Sequence, residues 1–325
     1  MIGYVLRRLC YGVLILVGVN LLTFLLFFAV NTPDDMARLN LGGKRVTAEA
    51  VEAWKAAHDL ADPLFFNEKA EGLEQVTETV FWKKSVPLLR FEFGQSDSGR
   101  DIGYEISTRM WPSILLALPT FLLGVFVMVS YSLLLVLFRG TRTELAAVGL
   151  SVLLMSISGL FYIIVGQWLF AKVMQLFPVS GYADGPGAFA FLVLPILIGV
   201  LSRLGSDTLL YRAMFLEEIG KDYVRTARAK GLSEGAVLVR HVLRNAALPI
   251  VTSTVAVIPM LFMGSLIMES FFGIPGLGSY TIDALNAQDF SVVRTMVFLG
   301  TAAYVAGLLL TDIVYAIVDP RIRLQ

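Results

Sequence analysis

The feature that most constrains this chain is a set of long apolar segments without a single charged residue. Residues 9–30 form 22 consecutive uncharged positions, residues 111–138 form 28, and residues 145–170 form 26. A helix needs about 20 apolar residues to cross the ~30 Å hydrocarbon core of a bilayer. Each segment is therefore predicted to span a membrane. The first is too long for the apolar core of a signal peptide, which predicts a retained anchor.

Three weaker segments complete a predicted set of six. Residues 188–202 are uncharged over only 15 positions, but a helix could continue through residues 209–216, with Arg203 and Arg212 near its cytoplasmic end. Residues 246–268 and 295–317 are the other two. The chain is 56% hydrophobic and 16% charged, whereas a soluble domain carries roughly a quarter charged residues. These features predict an all-α polytopic membrane protein with six transmembrane helices.

The placement of lysine and arginine predicts the orientation. Four segments (1–8, 139–144, 203–245 and 318–325) together hold 14 basic residues, and the two short loops on the opposite side hold one each. Cytoplasmic loops carry this excess, and loops longer than about 60 residues are exempt from the rule. Both termini are therefore predicted to be cytoplasmic.

The long segment 31–110 differs in composition from the rest. It holds 14 acids and 10 bases, which predicts an extracytoplasmic insertion folded in water or among headgroups. Within it, 46–60 is predicted to be a helix that Thr47 caps and Asp62-Pro63 stops. Two roles stay open and are compatible: a lid on the outer mouth of the membrane domain, and a docking site for a substrate or partner.

Little in the sequence indicates catalysis. Two histidines and one cysteine cannot supply a zinc or iron site, and neither Gly-Lys pair (at Gly43 and Gly220) lies in a nucleotide-binding loop. We expect no catalytic residue, metal or cofactor. Asp312 lies inside the last span, where two roles stay open, pairing with another helix and relaying a proton or ion.

The longest cytoplasmic connection contains a predicted short basic helix. Residues 222–230 place their acid first and their bases last, as the helix dipole favours, and Gly231 follows as a natural stop. Between the bases lie Thr226, Ala227 and Ala229, small residues that would let a helix enter a groove. From physics alone, such a helix at a membrane surface binds lipid headgroups by default.

Several motifs in a consistent order carry a resemblance to one family. They lie at residues 4–8, 22–24, 93–96, 177–181, 225–231, 241–249, 269–278, 312–315 and 319–323. Together they resemble the permease subunits of dipeptide/oligopeptide/nickel ABC importers, a binding-protein-dependent inner-membrane component. Two departures concern the cargo more than the fold: Ser156–Phe161 lacks the family's Pro-Phe pair, and Arg225-Thr226-Ala227 replaces the Glu-Ala-Ala of the wider importer pattern.

The resemblance implies a type I ABC importer permease in a bacterial inner membrane. Its implied partners are a second homologous permease subunit, two cytosolic ATP-binding subunits that hydrolyse ATP, an extracytoplasmic substrate-binding protein and membrane lipid; no nucleic acid is expected. The implied division is an anchor helix (1–30), the insertion (31–110) and a core permease domain (111–325) with a coupling loop (203–245). The implied ATPase-coupling residues are Asp222, Tyr223, Arg225, Thr226, Ala227, Arg228, Ala229 and Gly231.

A glycine-rich segment after the fifth span is predicted to lie at the outer mouth. A pathway or outer-gate role is predicted for Ser265, Glu269, Phe272, Pro275, Gly276 and Gly278, with a plain connector as the alternative. Di- and oligopeptides are the favoured cargo, and nickel chelates or another small solute are alternatives. A secondary transporter is the competing class, and it would require inverted repeats with matching broken spans.

Overall fold

The computed structural model describes residues 2–42, 46–255 and 257–318. Gly43, Lys44 and the motif at 319–323 lie outside the described residues. Regular structure over the described residues is helical, with one isolated β-bridge between Gln95 and Asp101. The predicted all-α class is therefore confirmed.

The α-helices are bounded as follows: α1 Ile2–Phe24, α2 Pro33–Asn40, α3 Ala48–Ala57, α4 Glu74–Thr77, α5 Val80–Leu89, α6 Ile102–Leu137, α7 Arg142–Met155, α8 Gly159–Gly166, α9 Ala188–Ile219, α10 Asp222–Ala229, α11 Glu234–Val237, α12 Leu243–Val255, α13 Leu266–Phe272, α14 Leu277–Ala287 and α15 Phe290–Val318. Three π-helical stretches (Leu25–Val30, Gln167–Val173, Leu238–Val242) and two 3₁₀ stretches (Gly185–Gly187, Ile258–Met263) extend or join them. Thr47 caps α3 by accepting a hydrogen bond from the Ala50 N–H, as predicted.

Among the described residues, five helices are long and apolar enough to cross a membrane, and a bent pair raises the number to six if it counts as one span. The pair replaces the predicted straight third span, 145–170. Arg142–Met155 and Gly159–Val173 meet at an angle of 91°. The cause is local, because Ser158 leaves helical geometry (φ −62°, ψ 141°). One continuous third helix was therefore the wrong prediction.

The fourth span follows its predicted continuation past Arg203, whereas the fifth has other bounds than predicted. Helix α9 runs unbroken for 32 residues, about 48 Å at 1.5 Å per residue, so Arg203 lies near its middle instead of its end. The fifth span begins earlier than residue 246 and ends at Met263. Gly264 then takes a positive φ of 71°, which turns the chain before α13.

The described residues fall into two compact units, 2–108 with 280–309 and 109–279 with 310–318. In the first, a core of aromatic and aliphatic side chains joins α1 to the helices of the insertion: Phe24, Phe28, Met36, Leu60 and Val80. In the same unit, the Asn20 amide donates to the Ser85 carbonyl at 2.8 Å. The predicted division at residues 30 and 110 stays a prediction.

The second unit has two hydrophobic clusters. One packs α10 and the start of α12 against α6 and α9, with Phe215 and Val224 fully buried. The other packs α8, α9 and the residues after α13, with Phe272 and Ile274 at its centre. Each cluster thus includes residues of one of the two short segments, α10 and the residues around α13, in which functional residues were predicted.

Candidate functional site

Helix α10 is amphipathic, with a narrow buried face. Val224 and Ala227, three positions apart, point into the first cluster of the second unit. The opposite face is exposed and consists of Asp222, Arg225, Thr226, Arg228 and Ala229. The helix therefore offers charged and small polar groups outward while two apolar anchors hold it to the unit.

Ion pairs and hydrogen bonds fix both ends of α10. Arg228 donates through Nε and Nη2 to the two carboxylate oxygens of Glu234 at 2.8 and 3.0 Å, which ties α10 to α11. At the other end, Glu218 pairs with Lys221 and accepts the Tyr223 hydroxyl hydrogen bond at 2.6 Å. Burial, reinforced by that carboxylate, raises the pKa of Tyr223 to about 12. Side-chain contacts thus hold both ends of α10 in place.

The predicted small-residue face is correct only in part. Thr226 and Ala229 are exposed, but Ala227 is buried in the cluster beneath the helix. Its side chain is therefore not available to a groove on another chain in this conformation. The helical period explains this, since residue 227 lies one turn after the buried Val224.

Gly231 ends the helix as predicted. Its φ is 79°, in the left-handed region that glycine adopts without strain, and its surroundings leave open space for a side chain. The reason for glycine here is therefore backbone conformation alone.

The 264–279 segment contains a fully buried carboxylate. Glu269 accepts backbone N–H hydrogen bonds from Ser265 (3.0 Å), Gly278 (2.7 Å) and Ser279 (3.1 Å). A further hydrogen bond comes from the side chain of Ser113 on α6, whose hydroxyl oxygen in turn accepts the Leu277 N–H at 2.8 Å. One side chain thus joins the start of α13, the start of α14 and α6.

Glycines make room for this carboxylate. A methyl group on Gly264 or Gly276 would overlap both the Glu269 carboxylate and the Ser113 hydroxyl, and one on Gly278 would overlap the backbone at Ser265. Burial raises the pKa of Glu269 above its ordinary range, against the lowering effect of its hydrogen bonds. The glycines therefore serve close packing around a buried acid.

The predicted pathway residues of this segment fall into two environments. Ser265 and Pro275 are exposed, whereas Glu269, Phe272, Gly276 and Gly278 are buried. Ser265 caps α13 and donates its N–H to the Glu269 carboxylate, which lies inside the segment. The pathway or outer-gate role stays a prediction for all six residues.

A cavity of about 340 Å³ lies within the second unit, between α6, α9 and the residues from 253 to 268. Hydroxyl groups of Thr120, Ser253 and Thr254 line it beside methionine and aliphatic side chains, and Ser265 is at its edge. Arg203 and Asp207 also line it, and their side chains form an ion pair at 2.9 Å. Asp207 had no predicted role, and Arg203 was predicted only to lie near the cytoplasmic end of its span.

A second ion pair, also missed from the sequence, closes the turn between α6 and α7. Glu144 accepts the Gly140 N–H at 2.6 Å and pairs with Arg212 of α9. Over residues 2–42, 46–255 and 257–318, no group of three or more His, Cys, Asp or Glu side chains is placed to hold a metal ion. Asp312 is half-buried in α15, and its two alternative roles stay predictions.

Comparison with known proteins gives two family matches and full-length relatives. The family described as binding-protein-dependent transport system inner membrane component matches residues 132–324, and the N-terminal family of the same transport-system membrane components matches residues 1–79. A putative peptide transport system permease protein of Brucella abortus (strain 2308) is 31% identical over 99% of both chains. The oligopeptide transport system permease protein AppB of Bacillus subtilis (strain 168) is 28% identical over 99% of this chain and 100% of its own.

Proposed function

Because the chain belongs to the family of binding-protein-dependent transport system inner membrane components, we propose that it forms, with a second homologous permease subunit, the peptide pathway of an ATP-driven importer. It is a multi-pass inner-membrane protein, and the permease subunits of its family are generally non-catalytic. The single observation that carries the peptide proposal is similarity along nearly the whole chain to peptide permeases.

The other partners follow from the same proposal. Two cytosolic ATP-binding subunits would hydrolyse ATP and contact the exposed face of α10, and an extracytoplasmic binding protein would deliver the peptide. This requires both termini in the cytoplasm, which the distribution of basic residues supports. The insertion would then face the binding protein.

The mounting of α10 supports a mechanical coupling. Its buried Val224 and Ala227 share a cluster with α6, α9 and α12, so a push on α10 would move spanning helices as a body. Closure of the ATPase dimer would supply the push, because ATP biases transport only through contacts that differ between two conformations. The buried joint at Glu269 would keep the 264–279 segment in shape during that movement.

Reconstitution of the purified complex tests the proposal. In proteoliposomes containing ATP, we expect uptake of labelled dipeptides and oligopeptides that stops when ATP is replaced by ADP. Unlabelled peptides should compete and nickel chelates should not. Competition by a nickel chelate alone would establish the alternative cargo, and uptake driven by an ion gradient without ATP would establish a secondary transporter.

A further inference from the structure

An arginine and an aspartate lie deep inside a spanning helix. Arg212 pairs with Glu144 at the turn between α6 and α7, which marks one membrane boundary on α9. Arg203 precedes Arg212 by nine residues on α9, which corresponds to about 13 Å at 1.5 Å per residue. The hydrocarbon core is ~30 Å thick, so Arg203 lies near its middle and Asp207, five residues from Arg212, lies about 8 Å inside that boundary. Ionised groups inside the hydrocarbon core are costly and mark functional sites by default.

The pair lines a cavity, and within the described part of the chain its hydrogen-bond partners lie on its own helix. Asp207 accepts from Nε of Arg203 at 3.0 Å and from the Ser206 hydroxyl at 3.1 Å. Arg203 keeps more than half of its side-chain surface exposed, whereas Asp207 is largely covered. The guanidinium can therefore contact a molecule in the cavity without any rearrangement of the fold.

The rest of the cavity wall suits varied cargo. Met128, Met260 and Met268 contribute flexible side chains that adapt to different shapes, and Thr120 and Ser253 contribute hydroxyl groups. The charged pair is thus a fixed polar element in an otherwise permissive wall.

We propose, resting on the peptide-import function above, that Arg203 and Asp207 form a transient site for the two charged ends of a short peptide passing through this cavity. Arg203 takes the terminal carboxylate and Asp207 takes the terminal ammonium. Residues four apart on a helix have Cβ atoms about 6 Å apart, and an extended dipeptide spans at most about 7 Å. When the peptide binds, the ion pair between Arg203 and Asp207 is replaced by two ion pairs, one with each end of the peptide. All charges therefore stay compensated, and binding stays weak enough for release.

Uptake by the reconstituted full complex tests this site with three probes: dialanine, dialanine amide and N-acetyl-dialanine. Maximal uptake rates are measured for every variant in the presence of a saturating amount of the same binding protein. The preference of the binding protein among the three probes therefore cancels when each rate is divided by the wild-type rate. We expect Arg203→Gln to reduce the preference for dialanine over its amide about tenfold and to leave the preference over the acetylated peptide unchanged. Asp207→Asn should do the reverse, and Glu217→Gln on the exposed surface of α9 should change neither.

Assembly is checked by ATPase activity stimulated by the binding protein. If either variant fails to assemble, Arg203→Lys and Asp207→Glu replace them; each keeps its charge and should keep the wild-type preference at least partly while altering the absolute rate. Equal loss for all three probes, or unchanged ratios, overturns the site while dipeptide import by the wild type upholds the proposed function. A wild-type complex that imports no peptide overturns both.

Discussion

Two short segments of the second unit contain similar residues but place them in opposite environments. Both α10 and α13 are short helices followed by a glycine with positive φ, Gly231 and Gly273. In α10 the acid and the bases point outward, and Arg225 and Asp222 meet at 3.5 Å with most of their surface in solvent. In α13 the acid turns inward and is fully buried among backbone N–H groups. The first segment thus exposes its charged groups, and the second uses its acid to hold its own backbone together.

The physical consequence is a separation of stability from function. Exposed ion pairs contribute about 0–1 kcal/mol, whereas each buried donor left without an acceptor costs about 1–3 kcal/mol. Substitutions in the 264–279 segment should therefore lower the free energy of unfolding, and substitutions on the outer face of α10 should impair transport while leaving it almost unchanged.

The largest expected loss of stability comes from Glu269→Ala. It removes the acceptor of three backbone N–H groups, a buried one at Gly278 and partly buried ones at Ser265 and Ser279, for a summed cost of roughly 3 kcal/mol. Heating the detergent-solubilised complex and measuring the fraction that remains assembled reports this loss. Glu217→Ala, at an exposed acid of α9, is the matched control and should behave as wild type. Equal thermal stability of the Glu269→Ala and Glu217→Ala complexes would mean that the buried acid does not hold the segment.

Gly276→Ala should come next, at about 1–3 kcal/mol, because its methyl group overlaps the Glu269 carboxylate and the Ser113 hydroxyl. The backbone at Gly276 does not require positive φ, so this effect is steric alone. Gly235→Ala is the control: it lies in α11 with open space around it and should be neutral or slightly stabilising. A neutral result at Gly276 would show that the carboxylate has room to move aside.

This contrast also shows how far the sequence predicts the molecule. The number of apolar segments, the Thr47 cap and the Gly231 stop are governed by local patterns, and the structure agrees with these, whereas it bends the third span and shifts the bounds of the fifth. On α10, however, Ala227 is buried and Ala229 is exposed, so small size does not identify the outward face, and Ala227 was wrongly predicted to lie on it. The family resemblance located the segment around Glu269, but its donors on α6 and α14 meet it only through folding.

Distance along the chain explains the remaining misses. Ser113 and Leu277 are separated by 164 positions, and the buried Arg294 donates to the Lys84 carbonyl across 210 positions. No local pattern encodes such contacts. Arg203 was missed for a different reason: the predicted helix continued past it, but the 15 uncharged residues before it made it lie near the cytoplasmic end, whereas it lies near the middle of α9.

Tyr223→Phe tests the hydrogen bond that holds the start of α10. Its expected effect on stability lies between those of the buried and the exposed substitutions. Loss of the hydrogen bond to Glu218 should cost about 0.5–1.5 kcal/mol, and Lys221 still pairs with that carboxylate. The folded pKa of about 12 lies above the unfolded value near 10, so wild type loses stability as pH rises from ~10 to ~12. Tyr223→Phe lacks this loss. The difference in thermal midpoint between wild type and Tyr223→Phe should therefore be smaller at pH 11 than at pH 8. An equal difference at both pH values would contradict the raised pKa of Tyr223.

The smallest change in stability and the clearest change in transport should come from Arg225→Glu. About three quarters of its side-chain surface is exposed, so thermal stability should stay within about 0.5 kcal/mol of wild type. A reversed charge on the face offered to the ATPase should nevertheless cut ATP-driven peptide uptake at least tenfold, with hydrolysis no longer stimulated by the binding protein. Ala227→Trp separates contact from folding, because its bulk enters the core and should destabilise the complex before any partner is involved. If Arg225→Glu unfolds the complex, or transports normally, then α10 is not a presented surface, and the division of labour between the two segments does not hold.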